Sequence, residues 1–401
     1  MKQLNRASNL DTIKKNNRSL VLKLLNSMGS ASRAELAKIT GLTKTSLSNI
    51  SNELIDEQII IEKGTANSSS GRKPILMSIV DDARFALGLY ISRDFIYANI
   101  TNLKGSILLE KKLLLDALES EQVFISNIIN ITETLLNEFG KDKSKILGIG
   151  IASIGPLDVE NGIILNPPNF RGLKSIQIVE VLKKRFGYEA FLENDMNACA
   201  IAEKLYGKGK NLSDFIYLGV TNGIGSGIIL NGSIYRGRDG FAGEIGHTSI
   251  DIAGRQCACG NYGCLELYAD INAVIGQVNA SLNLGAESML TGKPHITWQD
   301  IVAAAEKNDP IARKAIEKMA FYLSFGLVNA VNTFNPQAIF LGHEVALAKD
   351  MILEPLKEML GRTILYSNAK NMVMEMSAFR ENAPFIGAPS IILSKFFNGE
   401  L

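Results

Sequence analysis

Apolar residues near the start of the chain recur every three or four positions. Val21, Leu24, Leu25 and Met28 follow the i, i+3, i+4, i+7 spacing of one buried helical stripe, which stops near Gly29. Ser32-Arg-Ala-Glu35 is a capping box: serine and glutamate each satisfy a free amide at the start of a second helix, on which Leu36 and Ile39 face inward. Gly41 ends that helix and Thr43 caps a third, whose buried face is Leu47, Ile50 and Leu54. Lys44, Thr45, Ser48, Asn49 and Asn52 are left on its outer face. The pattern then becomes strand-like in Ile59 to Glu62 and Ile75 to Ile79, which bracket a Gly64 to Pro74 loop carrying Arg72 and Lys73.

Helix, glycine turn and helix with a short-polar outer face form the helix-turn-helix pattern, whose second helix enters the major groove of duplex DNA. Hydroxyl and amide side chains reach base edges, and Lys44 suits a phosphate or a guanine. The loop reads as a wing. The predicted DNA contacts are Ser32, Arg33, Lys44, Thr45, Ser46, Ser48, Asn49 and Asn52, with Arg72 and Lys73 assisting from the wing. Two copies are expected to act together, because such modules bind half-sites about 34 to 36 Å apart.

Beyond a joint at Asp81 to Arg84 the periods alternate. Strand-like runs cover Ala86 to Ile91, Ile96 to Thr101 and Ser106 to Leu114, followed by a helix near Gln122 to Phe139 and a strand over Ile146 to Ala152. Further on, Thr297-Trp-Gln-Asp300 and Asp309-Pro310 start helices, an amphipathic run spans Ala312 to Thr333, and Ala338 to Gly342 returns as a strand. This alternation predicts an α/β body with sheets covered by helices. Met319, Phe321, Tyr322, Phe325, Leu327 and Val328 surround much of the long helix, which predicts that it is core rather than interface.

The 401 residues exceed one ordinary core, so two or three domains are expected. A net charge of +1 hides an asymmetry: residues 1 to 80 carry 12 Lys+Arg against 6 Asp+Glu, which leaves an acidic remainder. A basic head on an acidic body fits a nucleic-acid contact confined to the head. No apolar run reaches the roughly 18 residues of a membrane span and no secretory pattern opens the chain, so a cytoplasmic protein without a membrane partner is expected.

Between Glu244 and Glu266 lie one of three histidines and three of four cysteines: His247, Cys257, Cys259 and Cys264. Three thiolates and one imidazole close a tetrahedral shell around Zn2+, and glycines at 260 and 263 permit the turns. A full shell leaves no place for reactive water, so the ion is structural and holds the flanking Glu244 and Glu266 in place. Cys199 reads as a small core residue.

Ile154-Gly-Pro, Asn166-Pro-Pro-Asn169, Glu193-Asn-Asp195, Gly223-Ile-Gly-Ser-Gly227, Gly243-Glu-Ile-Gly-His247 and the Cys-x-Cys-Gly-x-x-Gly-Cys-x-Glu segment together resemble the ROK family of repressors, open reading frames and sugar kinases. The likeness covers about residues 85 to 400, and the head resembles that of the repressor branch, including Gly71-Arg-Lys-Pro74. It implies a winged helix-turn-helix over 1–82, followed by a two-lobed actin-like, ribonuclease H-like body. The first lobe would span 83–200, completed by a C-terminal helix near 385–401, and the second 201–384 with the metal site. It further implies a sugar in the cleft between lobes, held by Asn169, Asn194, Asp195, Glu244, His247 and Glu266. Asp195 matches the kinases' general base.

The kinase reading nevertheless departs at the nucleotide. Family kinases open the body with an Asp-x-Gly-Gly-Thr turn whose amides approach phosphate. Here Tyr90-Ile-Ser92-Arg93-Asp94 replaces it, and the second glycine pair reads Gly342-His343-Glu344. No ATP is therefore expected, and Asp195 becomes a sugar contact rather than a catalyst. The resulting expectation is a repressor of sugar-utilisation genes, with operator DNA and a sugar or sugar-phosphate effector as partners, as homodimer or tetramer. A phosphotransfer-system protein is the other regulator that the family uses. The competing reading is an ATP-dependent sugar kinase with a DNA-binding head.

Overall fold

The computed structural model describes residues 10–65, 74–115, 120–167, 173–364 and 372–401. It divides into two units, Met1–Asn194 with Phe385–Leu401, and Asp195–Pro384.

The first unit begins with α1 (Leu10–Met28), β1 (Ala31–Ser32), α2 (Arg33–Thr40), α3 (Lys44–Asp56), β2 (Ile60–Thr65) and β3 (Ile75–Ile79). The three strands form one antiparallel sheet in the order β1-β3-β2. The capping box forms with both of its hydrogen bonds, and Gly41 closes α2 in the left-handed region at φ 70°. Thr43 caps α3 through the Ser46 amide, and Leu47, Ile50 and Leu54 are buried beneath it. Two assignments fail. Met28 and Ile39 are exposed, at 45% and 54%, each on the last turn of its helix. The buried stripe of α1 is instead Val21, Leu22 and Leu25.

The rest of this unit is built on a sheet of β4 (Phe85–Ile91), β5 (Phe95–Asn102), β6 (Ile107–Leu114), β7 (Ile146–Ser153) and β10 (Ala190–Asn194), with α4 (Glu121–Glu138) between β6 and β7. A short ribbon of β8 (Leu157–Asp158) and β9 (Ile163–Ile164) and then α5 (Ile178–Phe186) lead into β10. The strand order is β10-β7-β4-β5-β6, antiparallel through β4-β5-β6 and parallel through β4-β7-β10.

In the second unit, α6 (Asp195–Tyr206) is followed by β11 (Phe215–Val220), β12 (Ile224–Leu230), β13 (Ser233–Ile234), α7 (Glu266–Ala269), α8 (Ile271–Asn283), α9 (Trp298–Glu306), α10 (Pro310–Phe334), β14 (Ala338–Gly342), α11 (Asp350–Thr363) and β15 (Val373–Met376). Its sheet runs β13-β12-β11-β14-β15, with the same antiparallel triplet and parallel extension as the first. The two sheets therefore share one topology. Helix α6 belongs to the second unit, so the division falls between Asn194 and Asp195 rather than at residue 200. On α10, Phe321 and Phe325 are not core: they are 47% and 45% exposed, edge-to-face at 5.0 Å.

The last helix, α12 (Ala383–Phe397), returns to the first sheet. It lies so close that a Cβ at Gly88 of β4 would sit 2.7 Å from the Pro389 nitrogen, and one at Gly148 of β7 3.1 Å from Ile392. Past its end, Gly399 packs beside Lys15 and Ser19, and the Ser19 hydroxyl donates a buried 2.6 Å hydrogen bond to the Phe397 carbonyl. The expected joint is also fastened: Asp82 accepts from Asn102 at 3.0 Å and pairs with Lys141, while Lys104 pairs with Asp81 at 2.9 Å. Head and first sheet are thus one packed body. Ser19→Ala orphans a buried carbonyl, so we expect a loss of about 1 to 3 kcal/mol in denaturant unfolding.

Candidate functional site

The cysteine-rich segment is positioned by contacts that only glycine permits. Gly243, at φ 93°, rests on β12, where a Cβ would lie 2.6 Å from the Ser226 carbonyl, and the Ser226 hydroxyl donates to the Gly243 carbonyl at 2.6 Å. A Cβ at Gly246 would clash with the Ile224 carbonyl. These contacts fix Glu244 and the single helical turn Ile245–His247 against the sheet. Gly260 and Gly263 both take positive φ, at 94° and 63°, as the turns through the cysteines require. Asn261, which carries no motif signal, donates from its amide to the His247 carbonyl at 3.1 Å.

One donor atom from each of His247, Cys257, Cys259 and Cys264 lies within 4.8 Å of all the others. Cys259 Sγ is 3.7 Å from Cys264 Sγ, and Cys257 Sγ is 3.7 Å from His247 Nδ1. Those separations rule out a disulfide and match the edges, about 3.6 to 3.8 Å, of a tetrahedron with metal–sulfur bonds of about 2.3 Å. The donor set fits a metal ion. Burial raises the Cys257 and Cys264 thiols, while the Asn261 amide keeps the exposed Cys259 thiol low.

Glu266, at the start of α7, places Oε1 3.3 Å from His247 Nδ1 and 3.1 Å from Cys257 Sγ. Glu244 is exposed as a residue, yet the protein packed around its carboxyl raises it; His247 opposes that shift and the charge of Glu266 adds to it. Asn194 is half-buried at the end of β10, and Asp195 opens α6, 5% exposed, with one oxygen accepting from the Met196 amide at 2.9 Å. Helix α6 sits tight on its own sheet because Gly225 and Gly227 leave room: a Cβ at Gly227 would lie 2.7 Å from Ala200. The glycine-rich strand therefore has a packing role. Asn169 lies outside the described residues.

At the turn between β4 and β5 the Ser92 hydroxyl accepts from the amides of Phe95, at 3.1 Å, and Asp94, at 3.3 Å, and donates to the Phe95 carbonyl at 3.0 Å. Two amides of this turn, those of Asp94 and Phe95, are thus satisfied by a side chain within it. His343, beyond β14, holds φ 67°, the left-handed region that favours glycine, and its burial lowers the imidazole to about 4.

On the head, Lys44, Thr45 and Asn49 point to solvent and Ser48 is half-buried. Ser46 is tied to the Thr43 hydroxyl at 3.1 Å. Arg33 pairs with Glu62 and donates to Asn52 at 3.2 Å, a cluster the sequence did not reveal. Ser32 is 3% exposed with its hydroxyl spent on the cap, which removes it from the contact surface. Arg72 and Lys73 lie outside the described residues. No described helix is long and apolar enough to cross a membrane.

The ROK family model matches residues 86–395. This chain belongs to the ROK family. It is 32% identical over 386 residues to the xylose repressor of Bacillus spizizenii, covering 96% of this chain and 97% of that one. A solved ROK family transcriptional regulator, described as a homologue of the Escherichia coli Mlc protein, matches with a TM-score of 0.82 at 29% identity over 96% of this chain and 97% of its own. A ROK glucokinase from Streptomyces griseus, solved with glucose and AMPPNP, matches with a TM-score of 0.69 at 25% identity. That match takes in 98% of the glucokinase but 77% of this chain, a remainder comparable in length to the head. The repeated sheet topology is the actin-like sugar-kinase fold of this ROK chain.

Proposed function

We propose that this ROK protein is a DNA-binding transcriptional repressor of sugar-utilisation genes whose hold on its operator is set by a sugar. The observation that carries this reading is the complete three-helix head, with α3 capped, its apolar face buried and its polar face outward, on a chain matched almost end to end by a repressor. In this reading Lys44, Thr45, Ser48 and Asn49 meet the major groove, Ser46 stands at its edge, and Arg33 and Asn52 act as a pre-organised pair. The wing residues Arg72 and Lys73 grip phosphates or the minor groove.

The sugar contacts are Asn169, Asn194, Asp195, Glu244, His247 and Glu266: carboxylates accept from adjacent hydroxyls, amides both donate and accept, and a metal-held imidazole keeps its orientation. The metal is Zn2+, chosen by three thiolates and one imidazole, and its part is to hold the segment between the two glutamates. The protein is not a kinase and takes no ATP. A general base is worth roughly 10² to 10⁴ in rate only where a phosphate is held, and in the Ser92 turn the amides of Asp94 and Phe95 are already taken by the Ser92 hydroxyl. It acts in the cytoplasm as a homodimer or a tetramer.

The test is a mobility shift of duplex selected by the full chain from a random library, titrated with xylose, glucose and N-acetylglucosamine. One sugar is expected to change the affinity for DNA by about 5- to 150-fold. The same panel with ATP and magnesium is expected to yield no sugar phosphate. Retention of DNA unchanged by every sugar would sink the effector role, and turnover at about 1 to 100 s⁻¹ would make the protein a kinase.

A further inference from the structure

We propose that Asn52 reads a base as a hydrogen-bond donor only, its oxygen being held by Arg33, which Glu62 anchors, so that it selects the keto edge of guanine or thymine. This rests on the DNA-binding reading above and narrows it to one contact, since an asparagine on a reading helix ordinarily uses both atoms of its amide.

Three elements bring the residues together. Asn52 is exposed on α3, one turn beyond Asn49 and two beyond Thr45, in the row that faces outward. Arg33 opens α2, and Glu62 stands on β2 opposite Met77 of β3. Leu36 of α2 and Leu47, Ile50 and Leu54 of α3 are buried, which fixes the two helices from beneath. One terminal nitrogen of Arg33 pairs with the Glu62 carboxylate, and the other donates to the Asn52 oxygen at 3.2 Å.

A guanidinium has N–H groups and no acceptor, so only the oxygen of an amide can face it. The Asn52 amide therefore has one orientation, with its nitrogen left for DNA. Glu62 explains why Arg33 stays in place: an unanchored arginine beside a duplex would turn its fork to a phosphate, and the carboxylate competes for that fork. The Arg33 and Glu62 side chains are 31% and 39% exposed, and ion pairs at such exposure add little to stability, so the effect of Glu62 falls on orientation.

In the major groove adenine presents an acceptor, N7, beside the N6 amino donor, and asparagine matches both when its oxygen and nitrogen are free. With the oxygen taken, Asn52 keeps N–H groups alone. Those suit guanine, which presents N7 and O6, and thymine, which presents O4. Cytosine offers only its amino group and is disfavoured.

The test is selection of duplex from a random library by the full chain and by three single variants, with affinities then measured base by base across the selected site. Asn52→Ala is expected to erase a preference of about 5- to 150-fold for guanine or thymine at one position, the size of a single base contact. Asn52→Asp keeps an oxygen for Arg33 and turns a second oxygen to the groove, so the preference at that position is expected to reverse toward cytosine or adenine, whose amino groups donate. Arg33→Ala frees the Asn52 oxygen and is expected to admit adenine there. Each readout is a ratio between bases for one variant, which a folding defect does not move. An adenine or cytosine preference in the parent that Asn52→Ala erases overturns the inference, as does an aspartate variant that keeps the parent's preference or an Arg33→Ala variant that leaves it unshifted. An alanine variant that weakens every sequence alike makes Asn52 a phosphate contact, and one with the parent's affinity removes it from the interface; either result ends the inference and leaves the DNA-binding reading intact. A full chain that retains no duplex removes that reading itself.

Discussion

Replacing Lys44 and Asn49 together with alanine is expected to weaken the protein's hold on selected duplex by about 30- to 1,000-fold, with no loss of sugar binding. Both side chains are exposed on the outer face of α3, and Leu47, Ile50 and Leu54 hold that face in place from beneath. A base contact discriminates by about 1 to 3 kcal/mol, and a phosphate contact weakens all sequences alike and lowers the salt slope by about one. The two single variants separate these roles: Asn49→Ala relaxes sequence preference, and Lys44→Ala flattens the salt dependence. Neither is expected to change unfolding by more than about 0.5 kcal/mol, as for most surface changes. Fluorescence anisotropy at several salt concentrations reads both quantities, and a double variant with the parent's affinity would remove α3 as the reading helix.

The second large effect is expected from Cys259→Ser. Cys257 and Cys264 are buried, so changing either mixes lost packing with lost ligation. Cys259 is exposed and isolates the ligation. Metal binding in small zinc modules is worth about 10 to 16 kcal/mol to their folding. Here the four donor residues lie outside the strands of the sheet, so the cost is expected to fall on residues 247 to 266 and on Glu266. We expect a metal content near zero by mass spectrometry, a lower melting temperature and a loss of sugar affinity of about 100-fold or more. DNA binding in the absence of sugar should survive, since the head has its own caps and core. Full metal occupancy in the serine variant, or undiminished sugar affinity without metal, would detach the metal from the effector.

Local signals in the sequence were sound where the physics is local. The Ser32–Glu35 capping box, Thr43 and Asp309 as caps and Pro310 at a helix start all depend on neighbours within four residues, and all appear as expected. The clustering of His247, Cys257, Cys259 and Cys264 was legible for the same reason, their spacing being a property of a short segment. Period alone could not say what covers an apolar residue. Met28, Ile39, Phe321 and Phe325 satisfy helical spacing, yet nothing among the described residues buries them. Long-range pairings left no trace either. The Ser19–Phe397 bond joins residues 378 apart, and the Arg33–Glu62–Asn52 cluster depends on how α2, α3 and β2 meet. The break at Asn194–Asp195 falls between a strand and a helix with no linker composition to mark it.

Where the sequence departs from the kinase pattern, the geometry shows what takes the place of the glycines. Where the kinases' turn has glycines, Ser92 closes the turn on its own amides. His343 keeps the left-handed backbone that a glycine would take without strain, as if the chain path had outlasted the residue that suited it.

The central claim is that DNA and sugar are bound by one linked protein, and linkage must be reciprocal. Calorimetric sugar affinity of the full chain should therefore be measured with and without saturating duplex. The predicted result is a change equal in size and sign to the effect of the sugar on DNA affinity, about 1 to 3 kcal/mol. Identical sugar affinities in the two titrations would contradict the account.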